Sequence, residues 1–386
     1  MIFINQYTHD FFLDVVKRLS SRPGQHFLIT GSKVDKISHV NIIRCCSLRR
    51  SNAIKRILSW VLFTSQALFH LIKRASGQHL LIVTNPPMNI WLGPLLKCLK
   101  NNRYSCLIYD VYPEALKVGN MVILYFFSSF IWKKLNAFAL LHADNIITLS
   151  EDMAHTLQAH VGPDKNIKIN IIDNWSDEQF IRPIPKKENP IIKELKIQDK
   201  LTVSYSGTFG MTHGVKTIIE CAIILRDNKN VFFLMSGGGF EKEKIKKDII
   251  DAKLSNIIIL PYQPIDRFKF VAAAADISII LQKEGAEKTS MPSKTYTAMA
   301  AGAAIIAATN KKSYLAHLIE ENKCGLVVPP GDAPAMAKAI LYFYENTELL
   351  NQCKLNSRQA LVSKYSREAQ CKKYEQILIE NQYLAQ

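Results

Sequence analysis

Short apolar runs rich in β-branched residues recur along the whole chain, each followed by a longer stretch of helical periodicity. In the first half they fall at 1–5 (MIFIN), 26–30 (HFLIT), 40–45, 80–85 (LLIVTN), 105–111 (SCLIYDV), 145–149 (NIITL) and 168–172. In the second half they fall at 202–206 (TVSYS), 231–235 (VFFLM), 257–260, 277–281 (ISIIL), 304–308 (AIIAA) and 326–328. Near-continuous apolar runs, rather than strict alternation, belong to strands buried on both faces, as in parallel sheets. Strand–helix–strand order repeated this way predicts an α/β protein with two doubly wound domains. A chain of 386 residues also exceeds what one ordinary core accommodates. The break is expected around 182–200 (RPIPKKENPIIKELKIQDK), where three prolines and many charges oppose both a helix and a central strand. That gives domains at 1–185 and 186–365. Helical patterns close the chain at 333–345, 346–363 and 367–384, the last a surplus tail (366–386).

Charge is uneven. The whole chain carries +16, and residues 1–120 alone hold 16 Lys and Arg against 5 Asp and Glu. Such asymmetry fits a surface held against something anionic. No nucleic-acid reader motif accompanies it, which turns the reading toward phospholipid. Two aromatic-rich apolar stretches, 57–72 and 118–132, are flanked by Lys55-Arg56, Lys73-Arg74 and Lys133-Lys134. Each is shorter than the roughly 20 residues that span a bilayer. They fit either core helices or helices lying in the interface, with Trp60, Phe63, Phe69, Phe126, Phe127 and Trp132 as anchors. The eight cysteines form no Cys-x-x-Cys pair and several sit in apolar runs, as buried thiols of a reduced, cytoplasmic protein would. The first strand begins at Ile2, so no cleavable signal is expected.

Three segments carry chemistry. Ser204 to Val215 (SYSGTFGMTHGV) runs from a strand through Gly207, Gly210 and Gly214 into a helical pattern. Closely spaced glycines let backbone amides approach a phosphate, and a helix start adds its dipole; the spacing is equally that of a plain tight turn. Met291 to Ala307 (MPSKTYTAMAAGAAIIA) reads as a helix start at Pro292-Ser293, with Ser293 a candidate N-cap and Lys294 in the first turn. A cation is unfavourable there unless an anion shares the site, or unless the lysine is simply solvated. Tyr109 to Ala115 (YDVYPEA) brings Asp110 and Glu114 to the carboxyl edge of the first sheet, where substrates of open α/β sheets sit. There they can meet sugar hydroxyls or a proton, or merely begin a loop and a helix. No Asp-x-Asp, zinc-spaced His/Cys cluster or G-x-S-x-G elbow occurs.

At these residues the chain resembles the retaining GT-B glycosyltransferases of family 4, and more closely the WbuB-like group that builds bacterial surface polysaccharides. The marks are TNPP at 84–87, DVYPEA at 110–115, ADNIITLS at 143–150, DNW at 173–175, YSGTFG at 205–210, SGGG at 236–239 and PSKTYTAMAAG at 292–302. The last string is the most specific. The resemblance implies two Rossmann-like domains facing across a cleft, an acceptor-side first domain, a nucleotide-sugar-binding second domain, and a last helix packed back on the first. Gly207, Thr208, Phe209 and Gly210 would face the donor diphosphate, with Ser293, Lys294 and Thr295 beside it. Ser236, Gly237 and Gly238 would border base and ribose. Asp110 or Tyr109 falls where the family often has a histidine near the transferred sugar.

The departures are specific. The family's E-x7-E pair maps to Thr289 and Thr297, with Glu284 and Glu287 nearby to substitute for the first glutamate. The usual Arg and Lys of the first loop of the second domain map near Thr208 and His213, leaving Lys294 as the main cation. The loop after MIFIN lacks the usual Gly-Gly. The implied activity is a metal-independent retaining transfer, without further cofactor. The sugar, from a UDP-linked N-acetylhexosamine or deoxy derivative, goes to a polyprenyl-diphosphate-linked saccharide at the inner face of the plasma membrane. Asp110, Glu114 and Lys294 are the expected catalytic groups, and the donor contacts extend to His213, Glu287 and Thr297. A nucleotide-sugar epimerase and a non-catalytic nucleotide-sugar-binding module are the alternative readings.

Overall fold

The computed structural model describes residues 1–22, 24–49, 52–118, 122–210 and 214–380. Two compact units divide the chain. The first is Met1–Asp173 with Lys288–Met291 and the chain from Glu368 on; the second is Asn174–Glu287 with Pro292–Arg367.

In the first unit β1 (Ile2–Asn5), β2 (His26–Thr30), β3 (Val40–Arg44), β4 (Leu80–Val83), β5 (Tyr104–Ile108), β6 (Asn145–Thr148) and β7 (Ile169–Ile171) form one sheet. Their order is β3-β2-β1-β4-β5-β6-β7, with every neighbouring pair parallel. Its helices are α1 (Asp10–Leu19), α2 (Ala53–Arg74), α3 (Leu92–Lys100), α4 (Glu114–Val118), α5 (Val122–Leu141) and α6 (Glu151–Val161). The chain moves one way along the sheet from β1 to β2 and the other way from β3 onward. Right-handed crossovers therefore put α1 on one face and α2, α3, α5 and α6 on the opposite one. There α3 packs against both α2 and α5, and α5 against α6.

The second unit runs α7 (Pro190–Leu195), β8 (Leu201–Thr208), α8 (Lys216–Ile224), β9 (Val231–Gly238), α9 (Lys242–Asp251), β10 (Ile257–Leu260), α10 (Ile265–Ala272) and β11 (Ile277–Leu281). It continues with α11 (Lys294–Ala301), β12 (Ala304–Ala308), α12 (Tyr314–Glu321), β13 (Gly325–Val328), α13 (Ala333–Glu345) and α14 (Thr347–Lys364); α15 (Arg367–Glu375) follows and, but for its first residue, belongs to the first unit. The sheet is again parallel, in the order β10-β9-β8-β11-β12-β13. All five residues of β12 are buried, as a strand covered by helices on both faces requires. From Glu368 to Glu380 the chain belongs to the first unit. Arg18 on α1 holds Glu375 at 2.7 Å and Glu368 at 2.9 Å, while Tyr374 is wholly buried.

In the fold the structure departs from the sequence reading at the domain break. The proline-rich stretch is not an open linker, and the first unit ends before it, at Asp173. Asn189 caps α7 through its side chain, Pro190 occupies the first turn, and Ile191 and Ile192 pack against Leu234 and Val271 in the second unit's core. The proposed interfacial aromatics also separate into two sets. Trp60, Phe63 and Trp132 are buried, with Trp60 edge-on to Tyr112 at 5.9 Å and Trp132 edge-on to Trp91 at 5.5 Å. Phe69 and Phe126 stay exposed, and the side chain of Phe127 lies outside the described residues. Helical periodicity separates the sets, because residues three and four apart share a face.

Candidate functional site

Strands β8 and β9 run in register for eight residues, from Leu201 opposite Val231 to Thr208 opposite Gly238. This pairing brings Gly207 and Thr208 beside Gly237 and Gly238 at the carboxyl edge of the second sheet. It closes only because position 237 is glycine: φ is +145°, and a Cβ there would stand 1.9 Å from the Gly207 carbonyl oxygen. The ladder continues past the strands. The Phe209 amide donates to Gly238 O at 2.8 Å, the Glu241 amide donates to Phe209 O at 2.9 Å, and the Phe209 ring is buried in the core. The glycine segment is thus a pinned edge rather than a plain turn. His213 lies outside the described residues.

The PSK segment delivers Lys294 onto this edge. Ser293 is not the N-cap expected of it; its φ and ψ (−63°, −24°) are already helical and its side chain makes no capping hydrogen bond. Lys294 opens α11 and its Nζ reaches Gly207, where a Cβ would meet it at 2.8 Å. Nζ donates to Tyr205 Oη at 3.0 Å and lies 4.2 Å from the ring centroid. Burial pulls this ammonium down to about 8. Beside it Thr295 is fully buried, and its Oγ1 has no hydrogen-bond partner among the described residues. Thr297 lines a cavity of ≈ 50 Å³ together with Ser204, Ser206, Ser278 and Lys294. Ser236 is buried, with its hydroxyl 3.4 Å from the Pro261 carbonyl.

Two tyrosines belong to this edge that the sequence did not single out. Tyr205 Oη donates to the Thr208 carbonyl at 3.1 Å, joining the lysine to the glycine segment. Tyr262, just beyond β10, rests on Gly238, where a Cβ would be 3.1 Å from its ring; its hydroxyl donates to Gly238 O at 3.0 Å and lies 3.3 Å from Thr208 Oγ1. The Lys294–Tyr205 and Tyr262–Gly238 contacts join residues distant in sequence, so neither leaves a local pattern.

Glu287 sits in a short 3₁₀ turn, Ala286–Lys288, on the loop leaving β11. It is buried, and its Oε2 finds no hydrogen-bond partner among the described residues. A buried carboxylate oxygen without a donor is costly, and a ligand hydroxyl would relieve it.

The two acids of the YDVYPEA segment belong to the first unit. Asp110 is exposed beyond the end of β5. Glu114 opens α4 with both oxygens engaged, Oε1 by Lys133 at 2.8 Å and Oε2 by His160 at 3.0 Å. Burial alone would raise this carboxyl, but the hydrogen bonds and charges of His160 and Lys133 bring it down to about 2. The geometry makes it a clamp among α4, α5 and α6.

A glycine-bearing strand end, a helix start and one partly desolvated ammonium lie together on this edge, a combination with the chemistry to hold a dense anion. Among the described residues no cluster of three or more His, Cys, Asp or Glu is placed to hold a metal ion. Residues 186–360, which contain every element of this edge, match the sequence profile of the family described as Glycosyl transferases group 1.

That match lies almost wholly within the second unit. The chain is 26% identical over 300 residues to the probable glycosyltransferase WbjE of Pseudomonas aeruginosa, spanning 77% of this chain and 74% of that one. It is 27% identical over 182 residues to the putative colanic acid biosynthesis glycosyl transferase WcaI of Escherichia coli K12, 46% of this chain and 44% of that one. Among solved structures, HepE of Anabaena in complex with UDP-glucose superposes with a TM-score of 0.74 at 14% identity, covering 98% and 99% of the two chains. The fold is GT-B. In this chain the matched region places Gly207, Thr208, Gly237, Gly238, Lys294 and Thr295 on the carboxyl edge of its sheet, the edge where open α/β sheets bind ligands.

Proposed function

We propose that the protein is a retaining glycosyltransferase of the family 4, WbuB-like type, acting in surface-polysaccharide biosynthesis. Its donor is a UDP-sugar, in our reading a UDP-linked N-acetylhexosamine or deoxy derivative. Its acceptor is a polyprenyl-diphosphate-linked saccharide met at the inner face of the plasma membrane. The observation that carries this reading is Lys294 Nζ lying across Gly207, where one cation and a row of amides receive a diphosphate. The UDP-glucose bound to HepE and the colanic acid assignment of WcaI support it.

The chemistry follows from charge. The bond from the anomeric carbon to the diphosphate oxygen breaks, leaving positive charge on the sugar and negative charge on UDP. Lys294 and amides of the 207–210 segment other than that of Phe209 stabilise the second of these, in the preorganised way that often dominates catalysis. The acceptor hydroxyl attacks from the face that UDP leaves, and its proton passes to the departing phosphate. Glu287 Oε2 accepts a hydroxyl of the donor sugar. Asp110, exposed beyond the end of β5, is in our reading a contact to a substrate hydroxyl.

Purified protein incubated with a panel of UDP- and GDP-sugars and a lipid-linked acceptor tests the reading. Transfer with retention supports it. Isomerised donor without transfer indicates an epimerase, and thermal stabilisation alone indicates a binding module. In the same assay Lys294→Ala should lose on the order of 100-fold in rate, as loss of one transition-state donor does.

A further inference from the structure

Helix α2 is apolar on two opposite faces. At 100° per residue, Trp60, Phe63, Ala67 and Leu71 form the buried face, whereas Leu58, Leu62 and Phe69 fall together on the other and stand exposed. A soluble helix needs only the first of these. On α5 the same holds for Phe126, Phe130 and Ile131, which are 71%, 69% and 64% exposed. Leu95 and Leu99 of α3, the helix that packs against both, are exposed as well. The three helices therefore share one broad apolar surface, while exposed apolar residues of the second unit are scattered over separate elements.

The charges on these helices identify what covers it. None of α2, α3 and α5 contains an Asp or Glu, and each carries Lys or Arg. Two of the lysines lie along exposed rings, Lys73 Nζ 4.0 Å from the Phe69 centroid and Lys134 Nζ 4.3 Å from that of Phe130. This is the arrangement in which an apolar side chain enters the acyl boundary while a long cationic one reaches back to the headgroups. A second copy of the chain would bring two acid-free, lysine-rimmed faces together, which like-charge repulsion opposes. None of the described helices is long and apolar enough to cross a bilayer, so the surface lies on it.

We propose that the outer face of α2, α3 and α5 seats the protein on an anionic bilayer, with Leu58, Leu62, Phe69, Phe126, Phe130 and Ile131 entering the interface. This deepens the reading of a lipid-linked acceptor and rests on it only for its purpose, not for its geometry.

Sedimentation of the full chain with phosphatidylcholine vesicles, pure or containing about one-quarter phosphatidylglycerol, tests it at low and high salt. The wild type should pellet with the anionic vesicles and be partly released by salt. The double variant Leu62→Glu, Phe130→Glu, both at exposed positions, should partition about tenfold or more weakly while keeping its melting temperature and its UDP affinity. Wild type that ignores anionic vesicles, or a variant that binds them equally well, overturns the proposal. So does a concentration-dependent dimer of the wild type that the variant abolishes. If the wild type binds these vesicles but not UDP, the donor reading fails and the docking surface stands.

Discussion

The ammonium of Lys294 donates a 3.0 Å hydrogen bond to the phenol oxygen of Tyr205, and that hydroxyl in turn donates to the Thr208 carbonyl at 3.1 Å. One buried tyrosine thus fixes the cation and the end of the glycine-bearing strand together. The residues are far apart in the chain, on β8 and α11, so the fold itself makes the connection.

Titration of Lys294 should govern donor affinity. Burial lowers it to about 8 from the ordinary 10.5, so the ammonium is intact at neutral pH and is lost as pH rises through 8. UDP affinity measured by calorimetry should be level below that point and fall above it, a dependence that Lys294→Ala abolishes. The sign for stability is opposite. Between 8 and 10.5 the unfolded chain holds a proton that the folded one has released, so the unliganded protein gains stability with pH in that window.

Removing only the Tyr205 hydroxyl separates positioning from packing. Tyr205→Phe keeps the ring under the ammonium but frees both Nζ and the Thr208 carbonyl. One hydrogen bond of this kind is worth about 0.5–1.5 kcal/mol, so UDP affinity should fall about 2- to 12-fold. In a Lys294→Ala background the same change should cost little, because the two groups act as a unit. Full additivity in the double-mutant cycle would show that they act separately.

How much of this was legible in the sequence follows from where the information sits. The strands could be read because parallel strands covered on both faces must be apolar almost throughout, as β12 is. The PSK segment could be read because a lysine at a helix start conflicts with the dipole unless something anionic answers it. Helix α7 was hidden because its short apolar core, Ile191-Ile192, is surrounded by charges, and the Asn189-Pro190 start was outweighed by neighbouring prolines. Tyr205 and Tyr262 could not be found, since Lys294 reaches the first, and Gly238 and Thr208 meet the second, from other elements and leave no periodic trace. Glu114 gave the reverse difficulty: an acid after a strand suggests a substrate contact, but Lys133 and His160 arrive from distant helices to engage it.

The Glu114 clamp should appear in acid unfolding rather than in donor binding. Its folded carboxyl is held at about 2, below the ordinary 4.5, so its stabilising contribution is complete above the unfolded value and is lost as pH falls from there toward 2. Glu114→Gln should be less stable than wild type at neutral pH, with the gap closing as pH drops through that range. Chemical denaturation at several pH values measures it, and UDP affinity should not change.

The pairing of Gly207 with Gly237 admits no side chain. Alanine at 237 must adopt φ near +145° and place a methyl 1.9 Å from a backbone oxygen, so β8 and β9 have to separate at their carboxyl ends. Strain of this type costs about 1–3 kcal/mol even before the clash is counted. Gly237→Ala should therefore lower the melting temperature and weaken UDP binding together.

Glu287→Gln tests the sugar end of the site. The buried Oε2 has no donor among the described residues, so replacing the carboxylate with an amide breaks no hydrogen bond to that oxygen and should leave stability nearly unchanged. UDP has no sugar to offer that oxygen, and its affinity should stay at the wild-type value. A hydrogen bond to a charged group is worth about 1.5–3 kcal/mol, so affinity for the intact UDP-sugar or the transfer rate should fall roughly 10- to 150-fold. Parallel calorimetry with UDP and UDP-sugar separates these outcomes. Equal loss for both ligands would move Glu287 from the sugar to the nucleotide, and no loss for either would make it a residue of the loop alone.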